Sequence, residues 1–111
     1  MDISQFLPSL LHSLSGLEFV VKVDFQTEAF VLKGRATLQK SRFLHVYFNE
    51  ITGTTAFALI EQDKRLWGTD FDNIRGWHAH PVDAPDSHFD IEPKTVEEII
   101  EELKNAWLFL P

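Results

Sequence analysis

The sequence predicts an α+β domain: one antiparallel sheet of about five strands in a meander, with an N-terminal and a C-terminal helix packed on it. Three observations carry this. Apolar residues recur every three or four positions at the two ends of the chain. Between residues 17 and 69 they recur every second position. The links between those alternating runs are too short for the crossover that parallel strands need.

The first helix is expected near residues 4–14. Ile3, Phe6, Leu7, Leu10, Leu11 and Leu14 fall on one stripe of a 3.6-residue period. Pro8 suits the first turn of a helix, so the helix either begins there or is kinked there. Ser15-Gly16 ends it.

The period then becomes two. Leu17, Phe19, Val21, Val23 and Phe25 alternate with Glu18, Lys22 and Asp24, which predicts a half-buried strand. Phe30, Leu32, Gly34, Ala36 and Leu38 repeat the pattern. So do Leu44, Val46 and Phe48, with His45, Tyr47 and Asn49 opposite. After the Thr52-Gly53 turn, residues 54–61 are apolar on both faces, which predicts burial on both sides. A short fifth strand is expected over 65–69.

Residues 70–93 lose all periodicity. They hold three prolines, three histidines and six acids, and are expected to form a loop of unusual length. Thr95 and Glu98 form a capping box for a helix over 95–107. Val96, Ile99, Ile100, Leu103 and Trp107 are its inward stripe, and Glu97, Glu98, Glu101 and Glu102 lie outside.

With 111 residues, 44% of them hydrophobic, the chain reads as one domain over 1–111. No apolar run is long enough for a membrane span. The N-terminus has no basic flank and makes a poor signal peptide, so a cytoplasmic protein is expected. The absence of cysteine excludes disulfides, thiolate metal sites and thiol nucleophiles. Net charge is −7, which argues against a global electrostatic grip on nucleic acid. The charge is uneven, however. Residues 22–75 carry eight basic and seven acidic groups, whereas residues 76–111 carry two lysines against eight acids. The middle of the chain can therefore meet a phosphate, and the tail a basic partner.

Candidate chemistry concentrates between Trp67 and His88. Pro81 biases His80 toward an extended conformation, which projects His78 and His80 to one side, and Asp70 and Asp72 likewise. Arg75 lies between the pairs. One reading is metal-free acid–base cleavage of RNA. Two imidazoles serve as base and acid, Arg75 stabilises the phosphorane charge, and Asp72 and His88 assist. A second is a divalent metal held by His78, His80 and His88 with a carboxylate from Asp70, Asp72 or Asp86. Such a set suits zinc, nickel, manganese or iron. A third is a partner-binding loop without chemistry, its histidines merely hydrogen-bonded and Trp67 and Trp77 folding it onto the core. A second candidate surface is the polar face of the sheet. Lys33, Arg35 and Tyr47, near Lys22 and His45, combine cations with an aromatic ring as single-stranded RNA binding requires, with Trp77 a further contact candidate. A plain solvated face has the same composition.

The tract Trp67-Gly68-x-Asp70-x-Asp72-Asn73, then Gly76-Trp77-His78-x-His80-Pro81, then His88 resembles the TumE family of toxins. Pro93 and the glutamate-rich last helix also fit, so the resemblance covers roughly the last 45 residues. Many relatives start the tract with Arg-x-Asp-Asn, where this chain has Trp67-Gly68-Thr69-Asp70. The resemblance implies the toxin half of a type II toxin–antitoxin pair. It also implies a small helix-turn-helix antitoxin encoded next door, and action on RNA. A non-catalytic interaction module of the same fold, or a His/Asp metal-binding protein, is the alternative.

Overall fold

The computed structural model describes residues 1–111. Helix α1 (Ile3–Ser15) is followed by seven strands: β1 (Val20–Glu28), β2 (Val31–Leu38), β3 (Arg42–Asn49), β4 (Thr55–Glu61), β5 (Lys64–Asp72), β6 (Gly76–His80) and β7 (Phe89–Asp90). Helix α2 (Val96–Trp107) closes the chain. The strands form one antiparallel sheet in sequence order. The α+β class and the meander are as expected, but the strands number seven rather than about five. No helix is long and apolar enough to cross a membrane.

Helix α1 ends at Ser15 with Gly16 as its cap, as expected, but its start differs. Asp2 caps it, in a reciprocal box with Gln5, and the helix runs through Pro8 instead of starting there. Pro8 has no N–H to give the preceding turn, so the helix forgoes one bond. It is held instead by Phe6, Leu10 and Leu14, all buried.

One face of the sheet carries the core. Leu32, Ala36, Leu38, Leu44, Val46, Phe48, Phe57, Leu59 and Trp67 meet α1 and the Val96, Ile99, Ile100, Leu103 stripe of α2. Phe6 stacks on Phe48 with centroids 4.2 Å apart, and Phe19 on Trp107 at 4.1 Å. Arg42 is buried beneath α2, bonded to Glu61 at 2.9 Å and lying under the Trp107 ring. The alternation of β3 puts Arg42 on the inward face with Leu44, Val46 and Phe48.

The first strand breaks its expected alternation. Val20 pairs with Leu38 but Lys22 with Thr37, so Val21 is an extra residue and faces solvent. Val23 is exposed as well, because β1 is an edge strand. At Gly34 a Cβ would lie 2.1 Å from the Asp24 carbonyl oxygen, so only glycine permits this pairing of β1 and β2.

The expected loop of 70–93 is strand at 70–72, 76–80 and 89–90. β5 runs on to Asp72, a three-residue turn follows, and β6 and β7 extend the sheet. The capping box of α2 forms as expected: Glu98 N–H donates to Thr95 Oγ1 at 3.1 Å, and Thr95 N–H to Glu98 Oε1 at 2.9 Å. Thr95→Ala is therefore expected to cost about 1 kcal/mol in a urea titration. A cost near zero would show that the cap contributes nothing to α2.

Candidate functional site

Cross-strand neighbours share a face, so the register tells which residues meet on the side away from the helices. On β1 and β2 these are Lys22, Asp24, Gln26, Lys33 and Arg35. On β3 and β4 they are Phe43, His45, Tyr47, Ala56, Ala58 and Ile60. On β5 and β6 they are Gly68, Asp70, His78 and His80. The two surfaces singled out in the sequence, the polar strand residues and the histidines, therefore lie on one continuous face.

The histidines stand at its β6 end. His80 is paired with Gly68 and His78 with Asp70. Phe89 pairs with Ala79, and continuing that register brings His88 opposite His80, their rings 4.5 Å apart. His78 and His80 are each 1% exposed, whereas His88 is exposed. Ring nitrogens of all three lie within 4.8 Å of one another.

The hydrogen bonds fix the tautomers of the two buried rings. His78 Nδ1 lies 3.2 Å from the Gly76 carbonyl, and His80 Nδ1 3.1 Å from the Pro85 carbonyl. A carbonyl oxygen only accepts, so each Nδ1 carries a proton and donates it. Nε2 is then a bare lone pair in a neutral ring and a second donor in a protonated one, and the two Nε2 atoms converge. Both point at the same oxygen, Asp70 Oδ2, from 3.4 Å and 3.2 Å. Arg65 Nη1 donates to His80 Nε2 at 3.0 Å. Burial, then Arg65, pushes the His80 pKa down, with Asp70 opposing. His78 Nε2 and Asp70 Oδ1 are buried without a hydrogen-bond partner.

Arg65 reaches this position through a β-bulge. Leu59 pairs with Trp67 but Ile60 with Arg65, so Leu66 is the extra residue. Simple alternation would put Arg65 on the core side with Trp67; the bulge turns it to the open face. Gly68 makes room, because the Arg65 Nε and Cδ atoms lie within 3.6 Å of where its Cβ would stand. Ala58 opposite Gly68 and the adjacent Ala56 keep the floor shallow. The second face expected of β4 to be buried is Ala56, Ala58 and Ile60, and of these only Ala58 is buried. Over it lies a groove of about 360 Å³ lined by Lys33, His45, Tyr47, Ala56, Ala58 and Arg65. Arg35 flanks the adjoining depression with Lys33 and His45.

Arg75 and Asp72 are engaged elsewhere. Asp72 accepts from the Ile74 and Arg75 amides and binds Arg75 Nε at 3.1 Å, closing the β5–β6 turn. Those bonds, led by the Arg75 amide, hold the Asp72 carboxyl below its ordinary range. Arg75 is 57% exposed, and the cation on the imidazoles is Arg65 in its place. Trp77 points to the core side, against Phe71 at 5.3 Å, and lies on the opposite face from Lys33, Arg35 and Tyr47. His45, on a strand outside the tract, belongs to the groove.

No family model, curated protein or solved structure matches this chain.

Proposed function

We propose that this chain cleaves single-stranded RNA at the histidine cluster, as the toxin-like half of a toxin–antitoxin pair. One observation carries the reading. A buried set of proton-accepting groups, with an arginine beside it, stands at the end of an open sheet face that bears Lys33, Arg35, His45 and Tyr47. Cations spaced along the face suit a phosphate backbone, and Tyr47 offers a surface for a base. The resemblance of the Trp67–His88 tract to TumE-like toxins supports the same reading.

In the proposed reaction the RNA 2′-oxygen bonds to the adjacent phosphorus and the bond from phosphorus to the 5′-oxygen breaks. The cluster takes up the 2′-hydroxyl proton and a proton is returned to the leaving 5′-oxygen. The products are a 2′,3′-cyclic phosphate and a 5′-hydroxyl end. Arg65 neutralises charge on the phosphoryl oxygens, a role assigned in the sequence to Arg75.

The partner in this proposal is a small helix-turn-helix antitoxin with a basic surface, meeting the acidic exterior of α2. Glu98 is occupied by the cap and Glu102 by Lys94 at 3.0 Å, which leaves Glu97 and Glu101 as the free charges. Association is expected to slow as salt is raised.

Regulated expression of the chain with and without its neighbouring reading frame tests the proposal. Growth arrest with fragmented RNA is expected from the chain alone. The neighbour, or the double substitution His78→Ala/His80→Ala, is expected to abolish both. Undiminished toxicity of the double variant would sink the catalytic reading and leave an interaction module.

A further inference from the structure

We propose that His78, His80 and His88, with Asp70, bind one divalent transition-metal ion of the zinc class. The inference deepens the RNA-cleavage reading by naming what the cluster holds, but it stands on coordination geometry alone.

Three features of the cluster point to a cation. The first is that both buried rings spend their Nδ1 proton on a backbone carbonyl, at 3.2 Å from Gly76 and 3.1 Å from Pro85. An imidazole fixed in this way presents Nε2 as a lone pair, which is how second-shell carbonyls orient metal-binding histidines. The second is that both Nε2 atoms face the same carboxylate oxygen, at 3.4 Å and 3.2 Å. Neutral rings and a carboxylate repel one another in that arrangement unless a positive charge lies among them. Arg65 covers only one of the lone pairs, on His80. His78 Nε2 and Asp70 Oδ1 remain buried and unpartnered.

The third feature is spacing. Bonds of about 2.0–2.1 Å at tetrahedral angles hold ligand atoms about 3.3 Å apart. Asp70 Oδ2 lies 3.4 Å from His78 Nε2 and 3.2 Å from His80 Nε2. The three ring nitrogens spread to as much as 4.8 Å, so one ring must turn inward on binding. His88 is free to do so, because it is exposed and ends the 81–88 loop. Nitrogen and oxygen donors without thiolate suit zinc, nickel, manganese or iron, and a mostly imidazole set favours zinc over the harder ions.

Arg65 and the metal compete for His80 Nε2. The arginine side chain lies along the open groove and can withdraw into it. A bound ion would polarise a phosphoryl oxygen or lower the pKa of a water, and the imidazoles would then act as ligands.

The test uses purified full-length chain, stripped with a chelator and titrated with Zn²⁺ against a chromophoric competitor. One equivalent per chain is expected. His88→Ala, an exposed change that leaves the core untouched, is expected to weaken binding by more than the roughly 10- to 100-fold that losing a second-shell partner costs. Arg65→Gln is expected to tighten binding. Co²⁺ in place of Zn²⁺ is expected to give the intense visible bands of a tetrahedral site, and His12→Ala, on α1, to change neither readout. Absence of stoichiometric binding, or equal affinity in the His88→Ala variant, would overturn the inference. Because RNA is absent from this titration, the two readings fail separately. Metal binding without RNA cleavage removes the enzyme reading alone, and RNA cleavage by a chain that binds no metal removes the metal alone.

Discussion

Leu103→Asp is expected to unfold the chain at temperatures where the parent is stable. Leu103 is fully buried, among the α2 residues that meet α1 and the sheet. A carboxylate there finds no partner in an apolar core, and such burial costs on the order of 3 kcal/mol or more. Domains of this size are stable by only about 5–15 kcal/mol, so a large part of the margin disappears. Glu101, two residues earlier, faces solvent, and Glu101→Ala is expected to change stability by less than about 0.5 kcal/mol. A urea titration of the two variants gives the comparison. Similar midpoints would mean that the buried stripe of α2 is misplaced.

Arg65→Ala is expected to lower kcat/KM for RNA cleavage by about 10²-fold, the usual effect of removing one preorganised donor from a developing charge. Arg75→Ala is expected to change it by less than about threefold, near 0.6 kcal/mol. The contrast follows from position. Arg65 Nη1 is 3.0 Å from His80 Nε2, whereas Arg75 is bound to Asp72 in an exposed turn. Arg65→Lys is expected to recover part of the loss, since it restores the charge without the planar donor pair. Thermal midpoints separate an effect on the site from an effect on folding. A larger loss from Arg75→Ala than from Arg65→Ala would contradict the assignment.

Where hydrophobic alternation was strong, the sequence predicted the structure. Leu32, Ala36 and Leu38, and Leu44, Val46 and Phe48, fall inward as their period of two requires. The capping box at Thr95 and Glu98 marks the start of α2 in both sequence and structure. His78 and His80 share one side, as Pro81 and an extended backbone imply. β6 shows no alternation in the sequence because its site-facing positions include His78 and His80. Only Trp77 and Ala79 remain to mark the core side, and two residues do not make a periodicity. The place of Arg65 is hidden in the sequence for a different reason. It lies 15 residues from His80 along the chain, and the bulge at Leu66 reverses the face that alternation assigns to it. Gly68 inside a strand was the available signal, since an interior glycine often marks a bulge or a close approach. Arg75 is nearer to the histidines in sequence, but its turn occupies it.

Chemistry at the His78–His80–Asp70 cluster is tested most directly by one measurement. Purified chain is incubated with a labelled single-stranded RNA, with and without added Zn²⁺, beside the His78→Ala/His80→Ala variant, and the new ends are identified. Fragments ending in 2′,3′-cyclic phosphate and 5′-hydroxyl are expected from the parent chain, and at least about 10²-fold less from the variant. Intact RNA under both conditions, or equal cleavage by the variant, would contradict such chemistry.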